Sequence, residues 1–457
     1  MLNYIREKFS SFTKTDRHIA PLAVLRMAFG SIMLVSVVRF LLKGWVYAFY
    51  IKPRFHFTFY GFDWVRPLGA TGMYLLFALL IITSILVTIG LFYRIAITTF
   101  FLCFTYVELI DKTTYLNHYY FISVMAFLMI LVPANRYFSL DVFHKPELKI
   151  TSVPWWAIDI FKLQLFIVYF FAGLSKLNYD WLIAAMPLRI WLPASSHLPV
   201  IGGLLTQLWV AYVFSWFGAL FDLSIGFLLI NSTTRKFGYL LVIIFHLATA
   251  WFFKIGMFPY VMIFVTIVFF SESTHRKIIG YLTWIFSKTN TVTNNNGSSY
   301  QIGITKKRII YSLLLLHFSI QLFLPFRYLL YPGKLSWTEE GYRFSWRVML
   351  MEKGGTAFFH VKDPRTGKQT EIINSQYLTD FQESQMSTQP DMILQFAHIL
   401  AADYQQKGIK NPIVTAESYV TLNGSGSRLY IDTTVNLANV HDGFGHKKWI
   451  LPFHNNH

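Results

Sequence analysis

The sequence predicts a polytopic α-helical membrane protein of about nine transmembrane helices, followed by a C-terminal α+β, β-rich extracytoplasmic domain. Three observations predict it. Of 457 residues, 54% are hydrophobic and only 14% charged, well below the quarter or so usual in soluble domains. Apolar runs of about 17–25 residues, each able to cross roughly 30 Å of hydrocarbon, fill most of positions 20–327. After YPGK (331–334) the apolar residues change to a period of two, the period of strands. The domains expected are therefore a membrane domain over 1–330 and a soluble one over 331–457.

In order, the expected spans are 20–42, 70–92, 94–110, 117–134, 155–174, 207–231, 237–253, 256–271 and 308–327. The first is too long for a signal-peptide core and lacks a cleavage pattern, so it reads as an uncleaved helix. Basic residues gather before it (Arg6, Lys8, Lys14, Arg17), after the fourth span (Arg136, Lys145, Lys149), after the sixth (Arg235, Lys236) and before the ninth (Arg276, Lys277, Lys306, Lys307, Arg308). These are alternate loops, so the positive-inside rule puts the N-terminus in the cytoplasm and, after nine crossings of the inner membrane, the C-terminal domain outside. The same placement accounts for the net charge of +17 without a nucleic-acid partner. A polar linker over 287–301 has a flexible composition. In the soluble part, YRFSWRVML (342–350) and TAFFHVK (356–362) read as strands flanking a Gly-Gly turn, and DPRTGK (363–368) as a second turn before TEII. A helix over 391–408 and strands over 412–422 and 428–431 complete it.

The lone Cys103 allows no intrachain disulfide and no thiolate metal site, as expected of a bacterial chain, and no metal is expected. HExxH, GxSxG, GxxxxGK[ST] and GxGxxG are all missing. What remains are ionisable groups in or beside the spans, which are costly there. Lys176 ends the run IVYFFAGLSKLNYDW (167–181). It reads either as a snorkelling lysine or as a desolvated amine whose neutral form is a general base. His118, with Asn117 before it, starts the fourth span on the same outer side, and is either an aromatic-belt residue or part of a shared site. Asp222 and His246 lie inside spans and read as intramembrane polar support, in the simplest case a hydrogen-bonded pair between packed helices. Lys254 reads as a helix-end lysine.

The runs NHYYFISVMAFLMILVPANRYFSLD (117–141), LFIVYFFAGLSKLNYDW (165–181), LFDLSIGFLL (220–229) and FKIGMFPYVM (253–262), then WTEEGYRFSWRVML (337–350), DPRTGK and DMILQFAHIL (391–400), together resemble the vitamin K-dependent gamma-glutamyl carboxylase family with its HTTM-type membrane domain. The likeness spans nearly the whole chain. It implies that Lys176 falls on the family's catalytic base, His118 on its required histidine, with Asn117 beside it, and Tyr342 and Trp346 where the family engages substrate glutamate. The chain departs from the animal members in having Ser175 before Lys176 instead of a second lysine, Ile399 where a disulfide cysteine would fall, and no long C-terminal portion.

The implied activity is carboxylation of peptidyl glutamate to gamma-carboxyglutamate, coupled to epoxidation of reduced vitamin K, with menaquinol as another candidate quinol and with O2 and CO2 as co-substrates. In the family, oxygenation of the hydroquinone yields an alkoxide basic enough to remove the γ-proton, which no side chain could. The implied partners are a glutamate-containing peptide or protein, membrane lipid and quinone. Two alternatives stand beside this reading: a quinol epoxidase that does not carboxylate, and a non-catalytic quinone- or lipid-binding membrane protein.

Overall fold

The structure, a computed structural model, describes residues 16–253, 255–287 and 298–453. The basic Arg6, Lys8 and Lys14, most of the 287–301 linker, and Lys254 lie outside the described residues.

The chain is a multi-pass membrane protein. Seven helices among the described residues are individually long and apolar enough to cross a bilayer. They are α1 (Ala20–Leu42), α2 (Gly69–Ile89), α3 (Tyr93–Ile110), α5 (Trp156–Ser175), α6 (Leu208–Ile230), α7 (Arg235–Phe252) and α10 (Ile304–Phe323), the last running on through a 3-10 stretch to Leu330. Two of the nine expected spans differ. The fourth is α4 (Asn117–Leu131), only 15 residues, about 22 Å at the usual rise per residue. The eighth is broken: α8 (Phe258–Thr266) continues as a 3-10 turn to Phe269, and α9 (Glu272–Ser287) leaves at 115°. By length and composition, seven helices qualify as spans, or eight if the bent pair is one span, and the expected nine is reached only if α4 is counted as well.

Close packing of these helices uses glycine where backbones meet. A Cβ on Gly30 of α1 would lie 2.4 Å from the Thr88 hydroxyl, and one on Gly173 of α5 would lie 2.7 Å from the Leu223 backbone nitrogen of α6. Arg26 is fully buried in α1, yet its guanidinium finds four carbonyls, those of Ala134, Val87, Thr88 and Phe138, at 2.6–3.1 Å. A buried charge is tolerable only when its donors are met in this way. At the same end, β1 (Asp16–His18) pairs with β2 (Ser152–Pro154).

The C-terminal part is built on a four-stranded antiparallel sheet. Its central pair, β3 (Lys353–Lys362) and β5 (Ile413–Leu422), runs in register over ten residues. Period two explains the buried face: Ala357, Phe359 and Val361 on β3, and Val414, Ala416, Val420 and Leu422 on β5. The short edges are β4 (Gln369–Glu371) and β6 (Arg428–Leu429). α11 (Asp380–Met386) begins with a Thr379/Gln382 capping box, and α12 (Pro390–Gln406) lays Ile393, Phe396, Ala397 and Leu400 into the core. Two expectations fail here. Gly354 and Gly355 lie within β3 and pair with Thr421 and Val420, so they make no turn. Residues 342–350 are turns, not a strand, because Phe344, Trp346 and Met349 all have left-handed backbones, φ 62°, 58° and 55°, which a ladder cannot accommodate.

This soluble part docks on one end of the helices. Asp391 meets Lys112 at 2.8 Å and Arg343 at 2.7 Å, Gln382 donates to the Phe55 carbonyl and to Asp111, and Lys334 meets Asp180 at 2.7 Å.

Candidate active site

Lys176 caps the C-terminus of α5, and its side chain is 6% exposed. It does not reach headgroups, and it is not without polar company. Its Nζ lies 2.7 Å from Asp222 Oδ2 on α6, donates weakly to the Ala172 carbonyl at 3.4 Å and sits 5.2 Å from the Trp181 ring centroid. The absent side chain of Gly173, one turn back, is what lets α6 come near enough for the pair. Trp181 is fixed in turn by an indole bond to the Ser215 carbonyl at 2.8 Å. The expected pairing of Asp222 with His246 is replaced: Asp222 is taken by Lys176, and His246 Nε2 bonds the Tyr169 hydroxyl at 3.0 Å, leaving its Nδ1 buried with no hydrogen-bond partner.

The pair opens on a cavity of ≈ 320 Å³ whose other walls are largely aromatic and aliphatic, among them Phe217, Phe245, Phe258, Val348 and Met349. His118 does not line it. With Asn117, Arg39 and Trp45, it lines an adjoining cavity of ≈ 370 Å³. Ile255, Phe258, Val348 and Met349 face both cavities, and Phe258 stands between the two imidazoles, 5.5 Å from His118 and 5.9 Å from His246 between ring centroids. Asn117 is already engaged: its amide donates to the Arg347 carbonyl at 2.7 Å and its oxygen accepts from Tyr115 at 3.1 Å.

Tyr342 faces a third space, an outer cleft of ≈ 540 Å³ that includes Ser175, Asn178, Ser345 and Arg347. Burial pushes its phenol up, so the hydroxyl keeps its proton at neutral pH. Trp346 is 1% exposed, stacks on Tyr120 at 4.9 Å, and has a buried indole N–H with no partner. The segment 342–349 thus touches all three spaces: Tyr342, Ser345 and Arg347 on the cleft, Val348 and Met349 on both inner cavities.

Several contributors escaped the sequence reading. Tyr169, Phe258 and Met349 look like ordinary apolar packing in one dimension. A buried polar chain runs from His317 to Gln164 (2.9 Å), Gln164 to Gln321 (3.3 Å) and Gln321 to Tyr120 (2.6 Å), ending beneath the Trp346 ring. Glutamines inside spans were its only signal. Among the described residues, no group of three or more His, Cys, Asp or Glu could hold a metal ion.

Residues 14–273 match the family model of the HTTM domain, and residues 306–456 match that of the vitamin K-dependent gamma-carboxylase lumenal domain. No solved structure matches the chain.

Proposed function

Since the chain belongs to the vitamin K-dependent gamma-carboxylase family, we propose that it couples oxidation of a reduced naphthoquinone to carboxylation of glutamyl side chains in a peptide or protein. The observation that carries this reading is the Lys176–Asp222 pair, buried at 2.7 Å on the wall of an apolar cavity of ≈ 320 Å³. The cavity fits the cofactor, with aromatic walls for a flat ring system and one amine–carboxyl pair for an ionisable hydroxyl. When bound, the reduced naphthoquinone supplies, with O2, the strong base that the glutamyl γ-proton requires, and CO2 becomes the new carboxyl.

The remaining work falls to the protein. Lys176, once its ammonium has released a proton and stands as the free amine, takes the hydroxyl proton at Nζ, and Asp222 stabilises the ammonium that forms again. His118 offers a directed hydrogen bond from the adjoining cavity, while Asn117 holds the shared wall through the Arg347 carbonyl. Tyr342 on the cleft is a donor for the glutamyl carboxylate, and the buried Trp346, stacked on Tyr120, positions the segment that carries it. Apolar walls keep water from strongly basic species. The division into two domains near residue 330, the inner-membrane location, the cytoplasmic N-terminus and the extracytoplasmic soluble part belong to the same proposal.

The test is incubation of purified protein with reduced vitamin K or menaquinol, O2, labelled bicarbonate and a glutamyl peptide. Label in the peptide together with epoxide is the expected result. Epoxide without label would assign a quinol epoxidase, and neither product would leave a quinone- or lipid-binding protein.

A further inference from the structure

We propose that the end of the helical part away from the sheet domain binds one anionic phospholipid, its phosphodiester over Lys162 and Arg235 and an acyl chain against Phe166 and Phe227. The inference stands independently of the proposed activity. A groove of ≈ 880 Å³ opens there, where the first turns of α5, the α6–α7 turn and the α8–α9 bend meet.

Charge at its rim is unbalanced. Arg17 and Lys162 both reach the same Asp159 oxygen, at 2.6 and 3.0 Å. Arg235 is held by neutral acceptors, the Leu229 and Ile230 carbonyls that end α6, each at 2.9 Å. Among the described residues that line the groove, Glu272 is the other acid, so three cations stand against two acids. The Ser271 and Ser273 hydroxyls lie on the same rim.

The wall beside that rim is apolar. Phe166 and Phe227 meet edge to face at 5.0 Å, and Phe227 and Ile230 are 56% and 53% exposed. A cationic rim continuous with an apolar wall complements a ligand that is anionic at one end and hydrocarbon at the other, which a free phosphate or a nucleotide is not. The depth agrees. α9 leaves this bend at 115° and turns Tyr281 and Trp284 outward, the residue types that settle at headgroup level.

The experiment measures lipid retention by native mass spectrometry and the thermal midpoint of the full chain in mixed micelles with phosphatidylglycerol, phosphatidylcholine or inorganic phosphate. Phosphatidylglycerol is expected to bind roughly tenfold or more tightly than phosphatidylcholine. That preference should be lost in Lys162→Gln/Arg235→Gln and kept in Lys162→Arg, since each cation near a membrane surface contributes several-fold. Equal binding of the two lipids overturns the proposal, as does an undiminished preference in the double variant. Equal protection by inorganic phosphate alone overturns the lipid as the source of the anion. Should the double variant not fold, the headgroup comparison in the unaltered protein and in Lys162→Gln alone decides.

Discussion

Lys176 and Asp222 form one unit, and their substitution should read out as one. If the amine receives the quinol proton, Lys176→Ala suppresses epoxide and carboxylated product together by about 10²–10⁴-fold, the usual range for loss of a general base. Tyr342→Phe and Trp346→Phe should instead lower carboxylation more than epoxidation. Both products measured per folded molecule provide the check, and near-normal epoxidation by Lys176→Ala would refute the role. A charge at the edge of an apolar run is conspicuous in one dimension, so Lys176, His118, Asp222 and His246 could all be singled out from the sequence. Their pairing could not. Which buried group meets which depends on how α5, α6 and α7 face one another, and a glycine at 173 carries no chemical signal of its own. The placement of His118 in a cavity beside that of Lys176 was equally hidden, because Phe258, one of the residues the two cavities share, is one phenylalanine among 45.

Segments of steady period were the legible elements. The long spans and the ten-residue β3–β5 pairing agree with the sequence pattern because burial on a helix or sheet imposes that pattern. The break at 269–272 was not legible, since apolar residues continue up to it and only the path of the chain changes. Residues 342–350 misled for a related reason: alternation of large and polar side chains mimics a strand, while left-handed residues force turns. These turns are anchored by Asp391, where burial alone would push the carboxyl up, but Arg343 and Lys112 outweigh it and hold it well below the usual carboxylate range. Asp391→Ala leaves both cations unanswered and should cost about 3 kcal/mol, the lower end for buried pairs, because the carboxylate is 19% exposed. The sign with pH follows from the depressed value. The stabilisation is complete above the unfolded carboxyl value of 3.8 and is lost as pH falls below it. Thermal midpoints against pH, flatter in Asp391→Ala across that acid range, provide the measurement.

On the scale of the whole molecule, the sheet domain rests on the ends of the helices that carry Lys112, Asn117 and Asp180, while Arg17, Lys162 and Arg235 gather at the other end. By the positive-inside rule the two ends face opposite compartments. A reporter fused at the C-terminus should therefore be active outside the cytoplasm, and activity confined to the cytoplasm would refute this orientation. The arrangement also has a history in time. Lys176 and Asp222 are synthesised early, but the cavity they serve gains Val348 and Met349 only from a segment made more than a hundred residues later. At ordinary rates of translation that is a delay of roughly ten seconds or more. For that interval the nascent helices sit in the membrane while the chamber still lacks a wall, so any reaction that depends on the closed chamber has to wait for the last third of the chain.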